Sequence, residues 1–264
     1  MAYTTLAVTQ EGPVSWLTLD RPDSLNALNR AMVDELRDYF GRLPADRDTR
    51  VVVLRGAGRA FCAGLDLKEG PDDGMGTVQG GLRSQRNISE LVMLMRRAPQ
   101  PFIACVQGPA CGGGFALALS SDVRIAGESA RMNAAFIRIG LSACDVGVSY
   151  FLPRLVGVSV ASELLLTGRF IDAKRALATG LVSEVVADDQ MEAAARRLLD
   201  DMLRTSPIGL RLTKECLNAS IDAGSLEQVI AMEDRNQILC AQTADFREGI
   251  AAFLQKRAPE YTES

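Results

Sequence analysis

Three consecutive glycines, Gly112, Gly113 and Gly114, lead into residues 115–121, a stretch without a single charge. A helix that lacks a polar face has no place on a protein surface, so this one must be enclosed on every side. The flanking segments have the matching character. Residues 4–9 and 14–20 read as strands joined by the Glu11-Gly12-Pro13 turn, and residues 50–55 as a short apolar strand ending at Gly56-Ala57-Gly58.

Residues 28–43 fit a helix, with Leu28, Met32, Leu36 and Phe40 on one face. Ile88, Leu91, Val92 and Met95 give residues 84–97 the same spacing, and Pro99 and Pro101 end that helix before a strand at 102–106. Residues 122–126 and 130–133 read as further strands. Residues 70–81, rich in glycine and aspartate, predict a mobile surface loop. From about residue 146 the pattern is helical, over 158–167, 172–178, 191–205, 207–223, 225–242 and 245–257. Strands first and helices later predict a layered α/β core with a helical C-terminal part.

A chain of 264 residues can bury a full core. Its formal net charge of −4 argues against a nucleic-acid surface and provides no basic face for a membrane. Cysteines 62, 105, 111, 144, 216 and 240 form no Cys-x-x-Cys pair, which reads as free thiols in a reducing cytoplasm. Residues 1–10 lack a basic segment followed by an apolar core, so no signal peptide is expected. No apolar run reaches the roughly 18–20 residues that cross a bilayer.

The chemistry is concentrated in two turns, Phe61-Cys62-Ala63-Gly64-Leu65-Asp66 and Gly108-Pro109-Ala110-Cys111-Gly112-Gly113-Gly114. Each reads as a strand that leaves a sheet and bends, exposing backbone N–H groups. Two such groups aimed at one point can hold the negative charge that develops on a carbonyl oxygen, and losing one donor typically costs about 10²–10³ in rate. The plainer alternative is that the glycines only allow tight packing of strand on helix. There is no histidine anywhere in the chain. Ser–His and Cys–His nucleophile pairs are therefore excluded, and proton transfer falls to carboxylates, tyrosines, lysines or cysteines.

These residues carry a resemblance. Arg21-Pro22, Leu25-Asn26-Ala27-Leu28, residues 61–66, the triple glycine, Leu152-Pro153-Arg154-Leu155-Val156-Gly157 and Leu166-Thr167-Gly168 occur in the order found in the crotonase, or enoyl-CoA hydratase/isomerase, superfamily. The resemblance runs from about residue 5 to residue 257. It implies a spiral of β-β-α repeats over residues 1–200 holding an acyl-CoA site. Residues 201–264 would then be a helical region for trimerisation and CoA-site closure, giving a homotrimer or homohexamer. It implies no cofactor beyond the coenzyme A of the thioester substrate, and no metal.

By position, the oxyanion donors implied are the N–H groups of Leu65 and Gly113. Gly113 would open the buried helix, where free N–H groups and the helix dipole favour negative charge. The resemblance places CoA near Ser24, Leu25, Ala27, Ala63, Asp66 and Leu67. Lys68 stands near the phosphates, or is simply a solvated charge. Phe253 and Lys256 match residues lent to a neighbouring subunit's CoA site. Asp23 departs from the pattern, since many members carry a basic residue there.

The two glutamates with which hydratases of this superfamily activate water are replaced by Ala116 and Phe136. Neither can exchange a proton, and a positioned acid–base group contributes about 10²–10⁴ in rate. Asp145 remains. Counted back from Leu152-Pro153-Arg154, it falls where several isomerases of the family carry a catalytic aspartate. Counted forward from Gly140, it lies one residue further along. It could equally cap the helix that follows, or act as a base raised by an apolar pocket beside Phe136. Tyr150, Cys144 and Glu90 are weaker candidates, and Met75, Met93 and Met95 are read as core or pocket lining. Three functions stay open: an isomerase using Asp145, an enoyl-CoA hydratase with a non-standard carboxylate, and a non-catalytic acyl-CoA-binding or scaffold subunit.

Overall fold

The computed structural model describes residues 3–68 and 77–262. Residues 69–76, which include Met75 and most of the expected surface loop, lie outside the described residues. The chain runs β1 (Leu6–Glu11), β2 (Val14–Leu19), α1 (Arg30–Arg42), β3 (Val51–Gly56), α2 (Val78–Arg97), β4 (Phe102–Val106), β5 (Pro109–Cys111), α3 (Gly113–Ser120), β6 (Val123–Gly127) and β7 (Arg131–Asn133). It continues through α4 (Val148–Val156), α5 (Val158–Thr167), β8 (Ile171–Asp172), α6 (Ala173–Ala178), β9 (Glu184–Val186), α7 (Met191–Leu203), α8 (Pro207–Ser220), α9 (Leu226–Ala241) and α10 (Ala244–Gln255).

The larger sheet has the order β1-β2-β3-β4-β6-β9, and β5-β7-β8 form a smaller one. From β2 to β9 the larger sheet is parallel, and β1 closes it as an antiparallel edge. A parallel strand buried on both faces is apolar throughout, and side chains alternate between the faces. Along β3, Val52 and Leu54 enter one hydrophobic cluster while Val51 and Val53 enter the other. Along β4, Phe102, Ala104 and Val106 face the first, and Ile103 and Cys105 the second. The first cluster is covered by α1, α2 and α3, and the second by Ala194, Ala195 and Leu199 of α7. The succession β4-β5-α3 and then β6-β7-α4 makes the β-β-α spiral.

Every residue of α3 is buried, as its uncharged sequence requires. Burying Phe115 alone is worth about 1.5–3 kcal/mol. Two further elements hold the layers in place. Lys214 of α8, 4% exposed, donates to Met95 O and Gln100 O and pairs with Asp122. The buried Arg124 donates to Leu181 O and Ser121 O. Three short strands, β5, β8 and β9, are not evident in the sequence. Residues 78–81, expected in a loop, form the first turn of α2, where Thr77 accepts from the Gly80 N–H.

Candidate active site

The segment 62–66 lies between two others. On one side Ala63 N donates to Leu25 O (2.9 Å), Leu28 N to Gly64 O (2.7 Å) and Asp66 N to Leu28 O (3.0 Å). On the other, Cys62 N donates to Pro109 O (3.1 Å) and Cys111 N to Cys62 O (2.9 Å). Leu28 therefore makes a parallel bridge to Leu65 and occupies both neighbours of that residue. In a parallel ladder this turns Leu65's own N–H away from Leu28. No acceptor for it is found among the described residues.

The second turn is made by Gly112 at φ +50°, whose N–H donates to Asn133 O (2.9 Å). Gly113 is then the first residue of α3, and its N–H too has no acceptor among the described residues. The first N–H groups of a helix carry the positive end of its dipole. Here that end is buried, where a charge interaction is stronger than in water. The two turns touch: a Cβ built on Gly64 would lie 2.8 Å from Cys111 O and 3.7 Å from Gly113 N.

The residues expected near CoA fall into two groups. Ser24, Leu25, Ala27, Ala63, Asp66, Leu67 and Lys68 are brought together along the paired segments 24–28 and 63–68. Leu25 and Asn26 have φ of +51° and +55°. That conformation is uncommon for non-glycine residues, and Asn tolerates it better than most. The buried Asn26 side chain holds it, accepting from Arg21 N and donating to Ala57 O and Ala60 O. Arg21 bridges to Ala27 O and to Asp66 (2.9 Å). Burial opposes ionisation of Asp66, but the Lys68 N–H and Arg21 outweigh it and hold the carboxyl below its usual range. Asp66 is thus a tie within the framework, and the Lys68 side chain is exposed. Phe253, 83% exposed, lies on α10, which packs chiefly on α9, and Lys256 directly follows that helix.

Phe136 lies against the glycine turn, its Cε1 3.3 Å from where a Gly112 Cβ would be. Ala116 is core. Burial pushes the Cys62 thiol up to about 12 and that of Cys111 to about 11, so neither supplies a thiolate at neutral pH. Glu90 is paired with Arg97, and Tyr150 donates to Asp222. Met95 is core and Met93 is 44% exposed.

Asp145 stands at the head of α4. Its carboxylate Oδ1 accepts from the Gln85 side chain of α2 and from Val146 N (2.8 Å). The helix it was expected to cap begins later, at Val148. The N-cap residue is Gly147, and Asp145 contributes only its main-chain carbonyl to Val148 N. Two left-handed residues in a row, Val146 at φ +37° and Gly147 at +83°, turn the chain just before the helix starts. A β-branched residue held there costs about 1–3 kcal/mol, a strain typical of functional sites. Both α2 and α4 pack against α3, whose first N–H is that of Gly113. In the sequence Arg21 and Asn26 stand out only as parts of a motif, and nothing local marks Gln85, whose partner lies 60 residues away.

A β-β-α spiral thus carries, at two touching turns, main-chain amides that have no acceptor among the described residues. The chain belongs to the enoyl-CoA hydratase/isomerase family, whose model matches residues 9–264. It is 39% identical over 255 residues to the "Probable enoyl-CoA hydratase EchA12" of Mycobacterium tuberculosis, covering 95% of this chain and 90% of that one. It is 36% identical over 253 residues to the 1,2-epoxyphenylacetyl-CoA isomerase of Escherichia coli, covering 96% of each. The crystal structure of an enoyl-CoA hydratase from Bacillus anthracis superposes with a TM-score of 0.93 at 34% identity, covering 99% of this chain and 100% of that one. Among the described residues no helix is long and apolar enough to cross a membrane.

Proposed function

We propose that this chain is an acyl-CoA isomerase that moves a double bond by proton transfer through Asp145. The observation that carries the reading is a pair of amides, Leu65 N–H and Gly113 N–H, that have no acceptor among the described residues and lie on turns that touch each other. The thioester oxygen sits between them. Asp145 removes a proton from the acyl chain, the electron pair passes into the carbonyl as an enolate, and the two N–H groups carry its charge. The same carboxyl returns the proton at the other end of the allylic system, so nothing is gained or lost overall. With Ala116 and Phe136 in place of proton carriers, water has no second group to activate it. The E. coli relative named as a 1,2-epoxyphenylacetyl-CoA isomerase supports isomerisation of an acyl-CoA as the reaction class. The relatives named as hydratases favour a second one, in which Asp145 alone directs water.

Coenzyme A lies along residues 24–28 and 63–68, as the handle of the substrate. Phe253 and Lys256 reach it from a neighbouring copy in a homotrimer or a hexamer of two trimers. The large apolar residues left exposed on α8–α10, including Leu217, Leu226, Ile238, Phe246, Phe253 and Leu254, supply the surface for that assembly. Residues 201–264 are thereby the assembly region, and a single-chain mass in sedimentation would remove that part of the proposal.

The test is incubation of the protein with 2-enoyl- and 3-enoyl-CoA while following absorbance and mass. A shifted double bond at unchanged mass is expected, and Asp145→Asn lowers the rate by about 10²–10⁴ while CoA still binds. A gain of one water would transfer the protein to the hydratases. Full activity of Asp145→Asn would take Asp145 out of the mechanism, and binding without turnover would make the chain a scaffold.

A further inference from the structure

We propose that Gln85 is a positioning residue for Asp145, fixing which carboxylate oxygen meets the substrate. The inference rests on the assignment of Asp145 as the base. Both hydrogen bonds to the carboxylate, from the Gln85 amide and from the Val146 N–H, fall on the same oxygen, Oδ1. Among the described residues Oδ2 has no partner. Two donors on one oxygen fix the side-chain torsions and leave the second oxygen to receive a proton.

The support comes from one face of α2. Val92, seven residues after Gln85 and so two turns along, packs against the same loop. Its Cγ1 is 3.4 Å from where a Gly147 Cβ would lie. Gln85 and Val92 thus hold the loop at Asp145 and Gly147, on either side of the left-handed Val146. The chemistry of the donor also fits. An arginine or lysine at this place would hold the carboxylate as a stabilised anion and weaken it as a base. A neutral amide orients the group with much less of that effect.

The experiment uses the full-length protein and 3-hexenoyl-CoA in D2O, following both isomerisation and deuterium uptake into the acyl chain. Gln85→Leu, which keeps bulk and loses the donor, is expected to lower kcat about 10- to 10²-fold with KM changed less than about twofold. Gln85→Asn keeps the amide on a stem one methylene shorter and is expected to fall between the two. In an Asp145→Asn background, Gln85→Leu should have no further effect on exchange, because the group it positions is already gone. Gln85 is exposed, so both variants should melt as the parent does. Unchanged kcat in Gln85→Leu, a loss confined to KM, or losses that multiply in the double variant would each overturn the positioning role and leave Asp145 as base. Wild-type activity in Asp145→Asn would overturn the base assignment and this inference with it.

Discussion

Gly64 and Cys111 approach so closely that a methyl group on the first would stand 2.8 Å from the carbonyl oxygen of the second. Residues 47 positions apart in sequence meet here, next to the strand pairing of Cys62 with Ala110. Gly64 also has φ +96°, outside the range of ordinary side chains.

Gly64→Ala should therefore fail in two ways at once. The strained backbone is expected to lower stability by about 1–3 kcal/mol. Displacement of the adjoining Leu65 amide is expected to lower turnover of an enoyl-CoA by about 10²–10³. Thermal denaturation and initial rates check the two separately. A variant with parental melting and parental rate would show that the turns are not in contact.

Lys214 gives a prediction about the scaffold. Its ammonium lies 3.0 Å from Met95 O, 2.8 Å from Gln100 O and 2.9 Å from Asp122 Oδ2, beneath 4% exposure. The Asp122 side chain is 21% exposed, so losing Lys214 costs somewhat less than the ~3–5 kcal/mol of a pair buried on both sides. Lys214→Ala is expected just below that range and Lys214→Met to cost less still, because Met keeps the packed stem. Urea unfolding of both variants measures the difference. Equal stability of wild type and Lys214→Ala would mean that α8 does not depend on this anchor.

The C-terminal tail gives the pH dependence. Glu248 of α10 accepts two hydrogen bonds from Arg257 and one from Glu260 N, and these hold its pKa at about 2 against an ordinary value of 4.5. A carboxyl with a depressed folded-state pKa contributes its full share above the unfolded value and loses it as pH falls toward the folded one. The tail is therefore expected to loosen from α10 as pH drops from about 4.5 to about 2. Hydrogen exchange at the Glu260 amide reads this directly. Glu248→Gln should produce the same loosening at neutral pH, and protection that persists in that variant would contradict the account.

Much of the architecture was legible because period and composition are local properties. Apolar runs marked β3 and β4, and spacing on one face marked α1 and the later part of α2. The missing charges of residues 115–121 required the burial that every residue of α3 has. The short strands were not legible, since the two residues of β8 and the three of β5 and of β9 are too few to display alternation. They are strands only because β6 and β7 offer them hydrogen bonds. The first turn of α2 was hidden by Gly80 and Gly81, which weaken a helix that the Thr77 cap restores.

Order along the chain was thus enough to determine the layered α/β frame, the family, and the two glycine bends where free amides would be found. Contact between those bends, the engagement of Asp66 by Arg21, and the choice of Oδ1 of Asp145 by Gln85 were decided only in three dimensions. The physical reason is range. Backbone preference and hydrophobic period act over a few neighbours, whereas a side-chain hydrogen bond across 45 or 60 positions exists only once packing has closed the loop between its ends.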